Sequence, residues 1–231
     1  MWLDSNIVFR KVYKNYTTCQ VCIMQCNEYR ERALGASMKE DTTQQVILEA
    51  ALTQFVQFGL RKTSLQDIAA QAGVSRPTVY SYFKNKDQIF RKVSIDIHEE
   101  GLREARALLK DPSLGDVTSA ISEALYARHG RFLTLVLESP RGGEVEDEHS
   151  RLCGDVVVST QKDFNDQLAR YIKMAETAKR IRLSNQGLSA VQLVSLLNLS
   201  TIGCKRGCKS PNEYKKLIVD LVTLLLDGLV V

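Results

Sequence analysis

The chain has 231 residues, 44% of them hydrophobic and 25% charged, which suits one or two domains with buried cores and excludes disordered and fibrous classes. Its 13 glycines and 4 prolines fall well below the turn density of a β-sandwich or barrel, so an all-α fold is expected. The net charge of +4 is small but unevenly placed: seven basic residues lie between Arg61 and Lys92 against only Asp67 and Asp87, a local basic face suited to a polyanion.

Residues 1–37 scatter Trp2, Phe9, Tyr13, Tyr16 and Tyr29 among Cys19, Cys22 and Cys26 without a sustained apolar period. They read as an N-terminal extension, and Met38, just ahead of the first helical pattern, is a candidate translation start. The three cysteines have a spacing that suits a metal or cluster, but a fourth ligand is not evident nearby. No metal and no cofactor is expected. The start of the chain lacks a basic stretch leading into an apolar one, and the run LIVDLVTLLLDGLVV is too short to cross a bilayer and is interrupted by Asp220 and Asp227. The expectation is a cytoplasmic protein with no membrane partner, whose six cysteines are thiols.

From Thr42, Ile47, Ala51, Phe55 and Phe58 recur at steps of 4, 4 and 3, one face of a helix that Gly59 ends. A second helix starts at Ser64, where Asp67 completes a capping box, and stops at Gly73. Ser75 caps a third, with Pro77 in its first turn where a missing N–H is harmless. A fourth runs from near Asp87 to about Leu109, broken by Asp111 and Pro112. Further helices are predicted at 116–128, 131–138, 147–178, 189–205 and 212–227. The β-branched VVVST at 156–160 is assigned to buried helix, because its flanks carry no turn signals. Glu144, Glu146, Asp147 and Glu148 read as a solvated loop and helix start, and His98 as exposed.

The functional signal lies within residues 65–84. Ala69, Gly73 and Val79 have the spacing of two short helices meeting at a sharp corner. The alanine lets the second helix approach, the glycine turns the chain, and the valine locks the crossing. Arg76, Thr78, Tyr80, Ser81 and Tyr82 crowd that second helix, and Lys84 and Lys86 follow it. Short polar side chains can enter a major groove while tyrosine and lysine reach phosphates. On the bland alternative, Tyr80, Tyr82 and Phe83 are core and the lysines a solvated face; Phe83 and one tyrosine fit that description even if the rest do not.

The stretch Gln45–Phe90, above all TSLQDIAAQAGVSRPTVYSYFKNKDQIF, resembles the DNA-binding domain of tetracycline-repressor-type (TetR/AcrR) transcriptional regulators. The resemblance implies an N-terminal three-helix helix-turn-helix domain at 38–92 and a helical effector-binding and dimerisation domain at 93–231. It implies a homodimer formed through the last two helices, a palindromic double-stranded DNA operator, and release by a small-molecule effector. Carried over by position, it places Ser64 and Gln66 at the second helix and Ser75, Arg76, Pro77, Thr78, Tyr80, Ser81 and Tyr82 on the recognition helix. Lys84 and Lys86 follow, with Lys86 meeting phosphate. Ser81 departs from the larger residue common in the family.

The last two helices carry apolar stripes, Val194, Leu197 and Ile202 on one and Leu217, Ile218, Leu221, Leu224 and Leu225 on the other, which fit a dimer interface and an intramolecular core equally. For the effector, Tyr126, His129, Phe132 and Phe164 are the candidates, an aromatic box with one histidine that would favour a flat or hydrophobic compound. Cys204 and Cys208, in CKRGCK, have basic neighbours that would lower a thiol pKa, so a redox- or metal-responsive regulator on the same scaffold is an alternative. A helical enzyme is a third, though no phosphate loop or nucleophile elbow is present and no enzymatic activity is expected.

Overall fold

A computed structural model describes residues 42–183 and 187–230. The expectations for residues 1–37, including Met38 as a start and the spacing of Cys19, Cys22 and Cys26, lie outside the described residues. Among the described residues eight helices follow one another: α1 (Thr42–Phe58), α2 (Leu65–Ala72), α3 (Arg76–Tyr82), α4 (Lys86–Leu108), α5 (Val117–Glu138), α6 (Gly142–Thr177), α7 (Ala190–Gly207) and α8 (Pro211–Leu226). Short polar residues start most of them. Ser75, Asn85, Asp116 and Ser210 each accept an N–H of the first turn, and Ser64 with Asp67 and Ser189 with Gln192 form reciprocal capping boxes. An antiparallel bridge, Ile181 with Val230, ties the α6–α7 connection to the segment after α8.

Two cores share the long helices. The first packs Ile47, Ala51 and Phe55 of α1 against Ile68, Ala69, Val79, Phe83, Ile89 and Phe90, and α6 contributes Val145, Cys153 and Val156 to it. The second gathers Leu102, Ile121, Leu125, Phe164, Leu168, Tyr171, Leu197, Tyr214 and Ile218. The boundary expected at 92/93 falls inside α4, which runs through both cores and so joins them mechanically.

The structure corrects several expectations. The two helices at 116–128 and 131–138 are one, because Gly130 lies inside α5 as an ordinary helical residue. The helix expected from 147 begins at Gly142, so the acidic run is not a loop. The chain turns so tightly there that a Cβ on Gly142 would lie 2.0 Å from the Val136 carbonyl oxygen. Phe58 is 43% exposed rather than on the inner face. VVVST is helical, but only one face is buried: Val156 and Thr160 point in and Val158 points out. His98 is buried, not exposed, and Glu148 is buried as well.

Candidate functional site

The corner between α2 and α3 is built from the sequence outward. Ser64 N–H donates to Asp67 Oδ2 (2.8 Å) and Asp67 N–H to Ser64 Oγ (3.2 Å), which fixes the start of α2. Gly73 takes φ 68°, ψ 26°, the left-handed conformation that a side chain disfavours, and Val74 N–H closes back on the Ala69 carbonyl at 3.1 Å. Ser75 then caps α3, its Oγ accepting from Thr78 N–H at 3.2 Å and lying 2.7 Å from Thr78 Oγ1. Ile68, Ala69, Val79 and Phe83 are buried beneath the corner, which leaves the opposite side of α3 to solvent.

On that outer side Ser64, Gln66, Ser75, Arg76, Pro77, Tyr80, Ser81 and Lys84 are exposed and Thr78 is half-buried. Arg76 Nη2 donates to the Tyr80 hydroxyl (3.2 Å) with its guanidinium 5.4 Å from the ring centroid, so the two form one amphipathic unit. Ser81 donates to the Thr78 carbonyl at 2.7 Å. Tyr82 is half-buried and packs against the first core with Phe83, so it is the tyrosine with a structural part. Lys86 is differently occupied from its expected phosphate contact: Nζ donates to the carbonyls of Leu60 (2.7 Å), Arg61 (3.0 Å) and Thr63 (3.0 Å). All three ammonium donors thus clasp the α1–α2 turn.

The basic face is narrower than the residue count suggested. Arg91 pairs with Asp155, Lys92 with Asp96, and Arg61 with Glu148. Lys62, Arg76 and Lys84 stay exposed; Lys62, beside the α2 cap, was not singled out from sequence, although its position in the basic stretch was available as a signal.

The α1–α2 turn is also latched to α6. Arg61 N–H donates to Glu144 Oε1 at 2.8 Å and its Nε to Glu148 Oε1 at 3.2 Å, while Arg151 Nε meets Glu148 Oε2 at 2.7 Å. Arg151 above all, then Arg61, hold the Glu148 carboxyl below the usual range. The turn therefore answers to two C-terminal elements, α4 through Lys86 and α6 through its first turns.

The effector candidates divide between the cores: Tyr126 and Phe164 belong to the second and His129 meets Phe164, whereas Phe132 packs against the first. Phe132 stacks on His149 (centroids 3.9 Å) and lies 5.8 Å from His98; His129 meets the edge of Phe164 at 6.0 Å; Tyr126 lies 6.1 Å from Tyr214. All three histidines of the chain gather around Arg128 and Lys205. Arg128 donates to His98 Nδ1 (3.0 Å) and Thr160 Oγ1 (2.9 Å), His98 and His149 share an Nε2–Nε2 bond of 2.8 Å, and Lys205 Nζ lies 3.1 Å from His129 Nδ1. Burial, then the neighbouring cations, push His98 down to about 3 and His149 to about 4, and drive His129 well below its ordinary value. Burial likewise lowers Arg128 to about 10 and Lys205 to about 8. The box thus holds three neutral imidazoles and two cations in place of one histidine. Among the described residues, a surface depression of about 400 Å³ lies elsewhere, lined by Asp111, Pro112, Lys173, Met174, Thr177 and Ala178.

Cys204 lies within α7 and Cys208 caps its end; burial raises both thiols, against the lowering expected from the nearby lysines. Among the described residues no group of three or more His, Cys, Asp or Glu is arranged to hold a metal, and no helix is long and apolar enough to cross a membrane.

Residues 47–93 match the family model described as "Bacterial regulatory proteins, tetR family". The chain is 45% identical over 51 residues to the probable acrEF/envCD operon repressor of Escherichia coli (strain K12), covering 22% of this chain and 23% of that protein. It is 31% identical over 148 residues to the HTH-type transcriptional regulator AcrR of Shigella flexneri, covering 59% of this chain and 63% of that protein. The chain therefore spans less than two thirds of these relatives' length. In structure it resembles a TetR-family transcriptional regulator from Mesorhizobium loti MAFF303099, with a TM-score of 0.63, 16% identity, and coverage of 84% of this chain and all of that one.

Proposed function

We infer that this chain, a member of the tetR family of bacterial regulatory proteins through its helix-turn-helix domain, is a repressor that binds a palindromic operator as a homodimer and is released by a small-molecule effector. One observation carries the reading: a two-helix corner, locked by Gly73 and Val79, turns Gln66, Arg76, Tyr80 and Lys84 outward together while its inner side is sealed by core. Arg76 supplies a two-pronged donor suited to a guanine edge, and Lys62 and Lys84 supply charge for phosphates. A seven-residue helix covers only a few base pairs, so useful specificity asks for two copies about 34–36 Å apart.

The outer faces of the last two helices supply a surface for that pairing. Val194, Leu197 and Ile218 are consumed by the core, but Val191 (61%), Leu199 (67%) and Ile202 (48%) on α7 and Leu224 (75%) on α8 stay exposed, and apolar surface of this kind commonly marks an association site. Release follows from the latches. A ligand that shifts α4 or α6 carries Lys86, Glu144 and Glu148 with it, and these hold the α1–α2 turn, so the separation of the recognition helices changes.

The test is selection of bound sequences from a random duplex library, then anisotropy on the winning site across salt. Enrichment of an inverted repeat, with affinity falling steeply in salt, is expected. A folded dimer that enriches no sequence would overturn the reading. Leu224→Glu is expected to yield monomers in sedimentation.

A further inference from the structure

Among the described residues Arg128 and Lys205 form no ion pair with any carboxylate, although Arg128 is only 4% exposed. Exposed Glu146 is the one acid whose field favours the Lys205 charge. Burying Arg128 outright and Lys205 in part without a paired counter-charge is unfavourable unless something else supplies it. The hydrogen bonds add unpartnered donors to the unpaired charge. Lys205, a pure donor, uses His129 Nδ1 as acceptor (3.1 Å), which places the His129 proton on Nε2. That Nε2–H is buried without a partner, and so are Arg128 Nε–H and the Tyr214 hydroxyl; Tyr214 is 0% exposed. Of these three unpartnered groups, Arg128 Nε–H belongs to one cation, His129 is bonded to the other and Tyr214 lies in the field of Arg128, whereas native cores normally satisfy such groups. Aromatic rings neighbour the cluster, and Lys215 Nζ lies 5.3 Å from the Tyr126 ring centroid. Phe132 and His149 close one side, Phe164 another, and Tyr126 stacks beyond Tyr214.

We propose that this cluster of Arg128, Lys205, His129 and Tyr214 is a buried carboxylate-binding subsite, and that the effector is a small organic acid with an apolar body. The inference rests on the regulator reading for the word effector but not for the binding itself. A carboxylate supplies acceptors only, which suits Arg128, Lys205 and His129 Nε2–H and can also accept from the Tyr214 hydroxyl, and its charge opposes that of the two cations. The aromatic rings accept the rest of the molecule. The site lies where His98 of α4 and His149 of α6 touch, one residue from Glu148 of the α6 latch, so occupancy bears on both elements that hold the DNA-binding turn.

The test is thermal denaturation of the full chain at pH 7 with benzoate and octanoate, against benzamide and octanamide, and against inorganic phosphate at matched ionic strength. A rise of several degrees with at least one acid, and none with its amide or with phosphate, is expected. Lys205→Met removes a half-buried charge without an ion-pair partner and should fold at least as well as the wild type, yet weaken apparent affinity for the acid at least about tenfold. Equal response to acid and amide, an equal response to phosphate, an unchanged response in Lys205→Met, or no response to any acid would each overturn the subsite. Failure to enrich an operator in the duplex selection would instead strike the regulator reading and leave acid binding standing.

Discussion

The two halves of the molecule place the same kinds of side chain in opposite circumstances. In the N-terminal domain Arg76, Lys62 and Lys84 are in water, where a positive charge is inexpensive and generic; in the C-terminal domain Arg128 is buried and Lys205 half-buried, and neither forms an ion pair among the described residues. An exposed cation reads a phosphate by proximity and can be altered without disturbing the fold. A buried one is tied to neutral imidazoles whose protonation the fold suppresses, so its environment constrains both stability and the ligands it accepts. The difference teaches that recognition of a long polyanion and recognition of one small anion call for opposite dielectric settings.

The largest effect that would sharpen this contrast is expected in acid. The folded chain keeps His98 and His149 neutral down to about 3 and 4, whereas unfolded imidazoles protonate near about 6.5. Between those limits the unfolded state binds more protons, so stability present above about 6.5 is lost as pH falls toward 4. Melting temperature followed from pH 7 to 4 should drop steadily, and the drop should shrink in His98→Asn. A flat profile would mean that the imidazoles are not buried in the way the cluster requires.

Next is the packing of the corner itself. Ile68→Ala at a fully buried position should destabilise the DNA-binding domain by about 2–5 kcal/mol, read by denaturant unfolding, and abolish DNA binding. Arg76→Ala, on the outer face, should leave melting unchanged and weaken binding to the selected operator by about 1–3 kcal/mol. Lys86→Met separates the two kinds of role. As the clasp of three carbonyls it should lower stability by about 1–2 kcal/mol while leaving the salt dependence of DNA binding unaltered; a shallower salt slope would restore the phosphate contact expected from its sequence position. The smallest effect belongs to Glu148→Gln: both its partners, Arg151 and Arg61, are largely exposed, so the loss in stability should stay under about 1 kcal/mol.

The corner was legible because its causes are local. Ser64 with Asp67, Ser75 with Pro77, and the left-handed turn at Gly73 each act over three or four residues, and capping chemistry shows in the letters. The same local logic failed between 128 and 131, where two helices were expected and one runs through, and at the acidic run after Gly142, where Glu148 is buried beneath Arg61 and Arg151. His98 failed for a different reason: its two glutamate neighbours marked solvent, but its partners lie 30 and 51 residues away.

By itself the chain's order of residues determined that helices form, where most of them start, and that residues 64–84 make a sharp corner with a polar outer side, since caps, glycine dihedrals and apolar periods are properties of neighbouring residues. Only the tertiary structure decided that Lys86 clasps a turn instead of standing free, and that Arg128, Lys205 and every histidine meet in one buried cluster. Those outcomes depend on which helices pack together, and the electrostatic character of a side chain is set by the distant groups that replace its water.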